Sequence, residues 1–186
     1  MTRAFARTPI EHSLLASVVD AGRRAPSAGN SQGVEFVVLQ GPDTARYWDV
    51  TLPDRDGFGF PGLLDAGALV IVLAHAQSYV DRYAEPEKAS SGLGAGADAW
   101  PVPYWIVDAS FAAMLIQLAA IDAGLGVLFF GPFEHEASVL QSLGVPESYE
   151  AIGTIAIGWP DDARDTRLGT SARRPKRTDV VHWGGW

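Results

Sequence analysis

The most constraining feature of this chain is residues 105–131, WIVDASFAAMLIQLAAIDAGLGVLFFG. Its first part is rich in helix formers, and Phe111, Met114, Leu115, Ile116, Leu118 and Ile121 put apolar groups on every face. A helix with no polar side to give to water is expected to be buried nearly all round. Asp108 is expected in its first turn, where a carboxylate suits the positive end of the helix dipole. Gly124 is the expected left-handed stop, and 125–130 reads as a short buried strand closed by Gly131 and Pro132. Asp108, Gln117 and Asp122 interrupt the run, so the expectation is a core helix rather than a transmembrane one.

With 186 residues, 47% of them apolar, the chain is expected to fold as a single domain over 1–186. The start, MTRAFARTPIEH, has no apolar run of the secretory kind, so a soluble cytoplasmic protein is expected. Cysteine is absent, which removes disulfides, thiolate chemistry and Cys-based metal or iron–sulfur sites together. The net charge of −8 argues against nucleic acid and against an anionic membrane surface as partners. The charge is also unevenly spread. Between residues 25 and 163 the basic residues are Arg46, Arg55, Arg82 and Lys88; the others lie towards the two ends. Such ends either pair with the acidic body or jointly hold a small anion such as a phosphate.

Thr8-Pro9-Ile10-Glu11 has the form of a capping box, predicting an amphipathic helix over 9–22. Residues 25–33, APSAGNSQG, carry no large apolar side chain and are longer than a helix-to-strand turn needs. They read either as an ordinary turn or as a surface that lets a flat ligand approach. Strands are expected over 34–40, 67–74 and 152–159, and short helices over 43–50 and 134–143. Residues 84–103 lack periodicity and suggest a lid or a partner-facing segment. Gly92-Leu93-Gly94-Ala95-Gly96 neither follows a strand nor opens a helix, so it is not a dinucleotide loop. The terminal VVHWGGW needs cover for its aromatic rings, and docking on a second subunit is the favoured expectation.

No side-chain nucleophile or acid–base pair stands out. His12, His75, His135 and His182 are scattered, and Glu134-His135-Glu136 is weak as a metal site. If the chain is an enzyme, a cofactor is expected to carry the reactivity.

Several of these stretches, in order, resemble the nitroreductase family of FMN-dependent oxidoreductases. They are 25–32 (APSAGNSQ), 108–112 (DASFA) running into Leu118-Ala119-Ala120, Gly124-Leu125-Gly126, and Phe129-Phe130-Gly131. Further along come 143–147 (LGVPE), Ile157-Gly158-Trp159-Pro160, and Arg173-Arg174-Pro175 with Val180-Val181-His182-Trp183. The resemblance implies an α+β fold: a central, mainly antiparallel sheet flanked by helices, a long buried central helix, and an intertwined homodimer with FMN at the seam. It places Pro26, Ser27, Asn30 and Gln32 near the flavin, from the opposite subunit. Phe129 and Gly131 are placed at its face, with the Gly131 N–H toward N5. Arg173, Arg174 and Arg3 are placed at its phosphate. The implied activity is ping-pong hydride transfer from NADH or NADPH through the flavin to a nitroaromatic, quinone or similar small acceptor, with no catalytic side chain and no metal. Alternatives are a flavin enzyme that does not use NAD(P)H and a non-catalytic flavin-holding protein. Pro132 stands where the family commonly has Gly and lacks an N–H. Gly33-Val34-Glu35-Phe36 stands where Pro-Trp-x-Phe is frequent.

Overall fold

The computed structural model describes residues 1–165, 178 and 180–186. The sequence builds four strands: β1 (Val34–Gln40), β2 (Ala68–Ala74), β3 (Gly126–Phe130) and β4 (Glu150–Gly158). They form one sheet in the order β1-β2-β4-β3, with every neighbouring pair antiparallel. β2, ALVIVLA, is buried at every position, as a run apolar on both faces requires.

Alternation along β2 divides the core in two. Ala68, Val70, Val72 and Ala74 face α1 (His12–Arg23) and α4 (Tyr104–Asp122). Leu69, Ile71 and Leu73 face α2 (Ala45–Thr51) and α5 (Glu136–Ser142). α3 (Ala76–Ala84) follows β2 directly. α1 and α4 pack so closely that a Cβ at Gly22 would lie 2.6 Å from Ile116 Cγ1.

α1 begins three residues later than the capping-box pattern predicts, with Glu11 rather than Thr8 as its cap. Distant partners take the carbonyls that an earlier turn would use. Trp159 Nε1 donates to the Pro9 carbonyl at 3.3 Å, Gln40 Nε2 donates to that of Ile10 at 2.8 Å, and Ile10 is buried in the core. The extended N-terminal strap is then fixed by Ala6 N–H to Trp159 O at 2.8 Å and Asp161 N–H to Ala4 O at 3.0 Å. Two of the basic residues follow the more ordinary of the two expectations. Arg7 and Arg164 both pair with Asp65 of the acidic body, at 2.9 and 2.8 Å.

The central helix is where the sequence puts it, and Gly124 (φ +78°) stops it. Burial within one chain is met on one face only. Trp105, Asp108, Ala109, Ala112, Ala113, Ile116 and Ala120 are buried. Tyr104, Phe111, Met114, Leu118 and Ile121 are exposed, Ile121 to 56%. By length and composition alone this helix could also cross a bilayer. Residues 85–103 form three short 3-10 turns rather than a free lid. Trp100 pins them: it is buried edge-on against Tyr79, Tyr83 and Trp105 and donates Nε1–H to Leu93 O at 3.0 Å. In the C-terminal segment Val180, Val181, Trp183 and Trp186 are exposed.

Candidate functional site

The loop between α1 and β1 brings four of the expected site residues together: Pro26, Ser27, Asn30 and Gln32. The Gln32 N–H donates to Ser27 Oγ at 3.0 Å, and Gln32 Nε2 donates to Asn30 Oδ1 at 3.1 Å. Ser31 Oγ closes the turn on Ala28 O at 2.7 Å. Gly29, Asn30 and Gln32 all have positive φ, at 62°, 58° and 53°. For Asn30 and Gln32 that conformation costs roughly 1–2 kcal/mol each, so the surroundings must hold the loop in shape.

They do so from two helices. Arg82 of α3 donates Nε–H to Gly29 O at 2.8 Å, and its guanidinium is shared with Glu85 and Glu87. Asp108 of α4 is buried, and its Oδ2 accepts the Ala28 N–H and the Tyr79 hydroxyl, both at 2.8 Å. Hydrogen bonds to a charged group contribute about 1.5–3 kcal/mol apiece. Asp108 thus lies one turn into the helix and serves the loop, not the helix dipole. Burial, followed by the neighbouring Asp108 carboxylate, pushes the Tyr79 hydroxyl well above the ordinary tyrosine value of 10.0, so it stays a donor.

Phe129 and Gly131 lie elsewhere. β1 and β3 are the two edge strands, and β1 begins at the same end of the sheet where β3 finishes. The loop and the Gly131 turn therefore share an end but sit on opposite edges, about 14 Å apart across the sheet at three strand spacings. They are offset along it as well, since Val34 is level with Glu150 and Phe130 with Thr154. Between them His75 stacks on Tyr149 at 4.5 Å, and the Tyr149 hydroxyl donates to Glu35 Oε1 at 2.5 Å. That bond, with a smaller contribution from burial, raises the Tyr149 hydroxyl above its usual value.

At the β3 turn Pro132 is buried, where a residue without an N–H leaves no donor unsatisfied. A hollow of about 320 Å³ opens beside it, walled by Trp48, Leu52, Phe58, Phe130, Gly131 and His135. Arg3 is on the β3 side as well. Thr2 N–H reaches Val127 O at 2.9 Å, and the Arg3 guanidinium lies 5.8 Å from the Phe60 ring centroid. Among the described residues no carboxylate pairs with that guanidinium. Arg173 and Arg174 lie outside the described residues. Arg23 and Arg24, by contrast, pair with Asp20 at 2.7 and 2.8 Å. No cluster of metal-ligating side chains occurs among the described residues.

Within one chain the crevice under the loop, which Asp108, Ser27 and Gln32 help to line, holds about 100 Å³. Cofactor sites usually need 300 Å³ or more, as an order of magnitude. One chain supplies pieces of a site on two edges: a crevice under the loop well below that size and, at the β3 edge, a hollow that just reaches it.

Sequence reasoning missed Asp108, Tyr79 and Arg82 as the residues that fix the loop. The available signal was a lone carboxylate inside an otherwise apolar helix, since such a group is seldom buried without dedicated partners.

A four-stranded antiparallel sheet between two helical layers, with a small-residue loop at one edge, is an α+β fold. The chain belongs to the nitroreductase family, whose sequence pattern matches residues 1–159, and is an enzyme of that family. Among curated proteins it is similar to a putative NADH dehydrogenase/NAD(P)H nitroreductase of Archaeoglobus fulgidus: 23% identical over 184 residues, covering 97% of this chain and 92% of the relative. It is also similar to an NADPH-dependent oxidoreductase of Staphylococcus aureus, at 25% identity over 168 residues, where it spans 86% of this chain but 61% of the longer relative. Among solved structures, an FMN-dependent nitroreductase of Clostridium difficile superposes with a TM-score of 0.70 at 20% identity, covering 100% of this chain and 94% of that one. A structure described as an oxidoreductase containing FMN gives 0.68 at 21% identity, over 98% and 86% of the two chains.

The Tyr79 environment sets an alkaline limit. A hydroxyl whose folded value is raised contributes stability that is complete below the unfolded value of 10.0 and lost as pH climbs above it. Urea midpoints measured from pH 8 to 11.5 are expected to fall above pH 10, and Tyr79→Phe is expected to flatten that limb by up to about 1.4 kcal/mol per pH unit.

Proposed function

We propose that this protein is an FMN-dependent oxidoreductase, working as a homodimer, that takes reducing equivalents from NADH or NADPH and delivers them to a small acceptor such as a nitroaromatic or a quinone. The observation that carries this reading is the division of the candidate contacts between opposite sheet edges. A second copy is what would bring a loop from one chain against the β3 edge of another and enlarge a crevice too small on its own.

The open face of α4 supports the pairing. Tyr104, Val107, Phe111, Met114, Leu118 and Ile121 recur at alternating spacings of three and four, the pattern of a helix-pairing seam. Five of the six are exposed in the single chain. The exposed Val180, Val181, Trp183 and Trp186 offer a second apolar surface to the same partner.

The residues fit the cofactor. When bound, FMN supplies the hydride chemistry, accepting from reduced nicotinamide and donating to the acceptor in alternation. The chain's own groups bind and orient. Pro26, Ser27, Asn30 and Gln32 present a surface of small and polar groups in a fixed backbone shape. Phe129 and Gly131 would flank the ring, and Gly131 has no side chain to obstruct it. Arg3, with Arg173 and Arg174, would hold the phosphate through charge-assisted hydrogen bonds. Arg3 is beside the start of β3 and Gly131 is just past its end, so an elongated ligand along this edge would reach both. The names of the relatives point the same way: FMN appears in those of two fold neighbours, and NAD(P)H in that of the archaeal relative.

Anaerobic stopped-flow mixing of the FMN-loaded protein with NADH and NADPH tests the reaction. Rapid bleaching of the flavin by at least one nucleotide is expected; a flavin that neither bleaches would overturn the nicotinamide step. The assembly has its own test. Leu118→Asp places a charge in the α4 seam and is expected to convert the protein to monomer in sedimentation and to release its flavin. A variant still dimeric and yellow would remove α4 as the seam.

A further inference from the structure

The loop that carries Ser27, Asn30 and Gln32 is constrained at both of its ends by one buried pair. At the entry, the Ala28 N–H is held by Asp108 Oδ2 at 2.8 Å, immediately before the left-handed Gly29 and Asn30. At the exit, the ring of Tyr79 presses on Gly33, where an added Cβ would lie 2.6 Å from Tyr79 Cε2. The two clamps are joined, because the Tyr79 hydroxyl donates to the same Asp108 oxygen at 2.8 Å. Both side chains are buried, Tyr79 completely, while Asp108 also helps to line the crevice under the loop.

Other support comes from the His75 N–H, which donates to Gly33 O at 2.9 Å, from the Tyr83 ring against Gly29, and from within the loop. Ser27, Ser31 and Gln32 bond only within the loop. Arg82 reaches in from α3, its side chain partly buried, and its guanidinium is divided between Gly29 O and the exposed carboxylates of Glu85 and Glu87. Water competes for an exposed bond far more than for a buried one.

We propose that Asp108, acting with Tyr79, is the positioning residue of the cofactor loop: its carboxylate sets the left-handed backbone that Ser27, Asn30 and Gln32 present. The part concerning FMN rests on the function proposed above; the part concerning loop geometry does not. Asp108 is not a catalytic residue on this account, since it acts through Ala28.

The test measures two quantities on the full chain: amide hydrogen exchange of residues 25–33, and the FMN dissociation constant from flavin fluorescence. Asp108→Ala removes the acceptor. It is expected to speed exchange in 25–33 and to weaken FMN by about tenfold or more, while the amides of β2 and β4 exchange as before. Asp108→Asn keeps a carbonyl oxygen for Ala28 and is expected to fall between wild type and Asp108→Ala in both readouts. A merely structural carboxylate would instead loosen loop and sheet together. Unchanged exchange in 25–33 with unchanged FMN affinity would overturn the proposal, as would loss of protection spread evenly over the sheet. If Asp108→Ala does not fold, Asp108→Asn decides alone: faster exchange confined to the loop supports the clamp, and wild-type exchange there refutes it. A wild-type chain that binds no FMN, in which the Asp108 variants still loosen the loop, would sink the flavin reading and leave the clamp standing.

Discussion

The structure depends on a helix that has more apolar surface than one chain can cover. α4 lays Trp105, Ala109, Ala112, Ala113, Ile116 and Ala120 on the sheet and on α1, which completes one core. Its other side carries Phe111, Met114, Leu118 and Ile121 into the open. Burying one such side chain is worth about 1.5–3 kcal/mol, so the uncovered row is a sizeable incentive to associate. The proposed dimer is the simplest way to satisfy it, because an identical helix brings an identical seam.

The same helix ties that association to the candidate site. Asp108 projects from its buried side to the Ala28 amide, one turn along from the exposed Phe111. The loop is locally unfavourable, with two non-glycine residues in left-handed geometry, and strain of this kind persists only where the surroundings over-determine it. Here the surroundings are Asp108, Tyr79 and Arg82, backed by an aromatic cluster in which Trp100 anchors the irregular 85–103 segment. A segment that resembles a lid in sequence therefore acts as a buttress behind the loop.

Much of the fold was legible in the sequence because its signals are local. β1 is predicted to the residue, since 34–40 is flanked by Gly33 and Gly41. Gly124 and Gly144 end α4 and α5 as read, at φ +78° and +73°. What failed was decided by distant partners. The start of α1 is set by Trp159 and Gln40, which claim the carbonyls of Pro9 and Ile10. Residues 85–103 have no period to read, because one ring rather than a repeating face holds them. In the site, the loop declared itself by its small residues, whereas its clamp did not: Asp108 and Ala28 are 80 positions apart. The separation of Phe129 and Gly131 from that loop follows from strand order, which pattern alone does not specify.

The central claim is that the loop of one chain and the β3 edge of another make a single site, and mixed dimers test it most directly. Ser27→Trp would block the loop contribution and Gly131→Val the β3 contribution, so each variant alone should lack flavin. Dimers containing one chain of each are predicted to regain one FMN per dimer, since one of their two sites then combines an intact loop with an intact edge. Mixed dimers that stay colourless, while wild-type chains treated in the same way turn yellow, would show that each site is built within a single chain and would contradict the account.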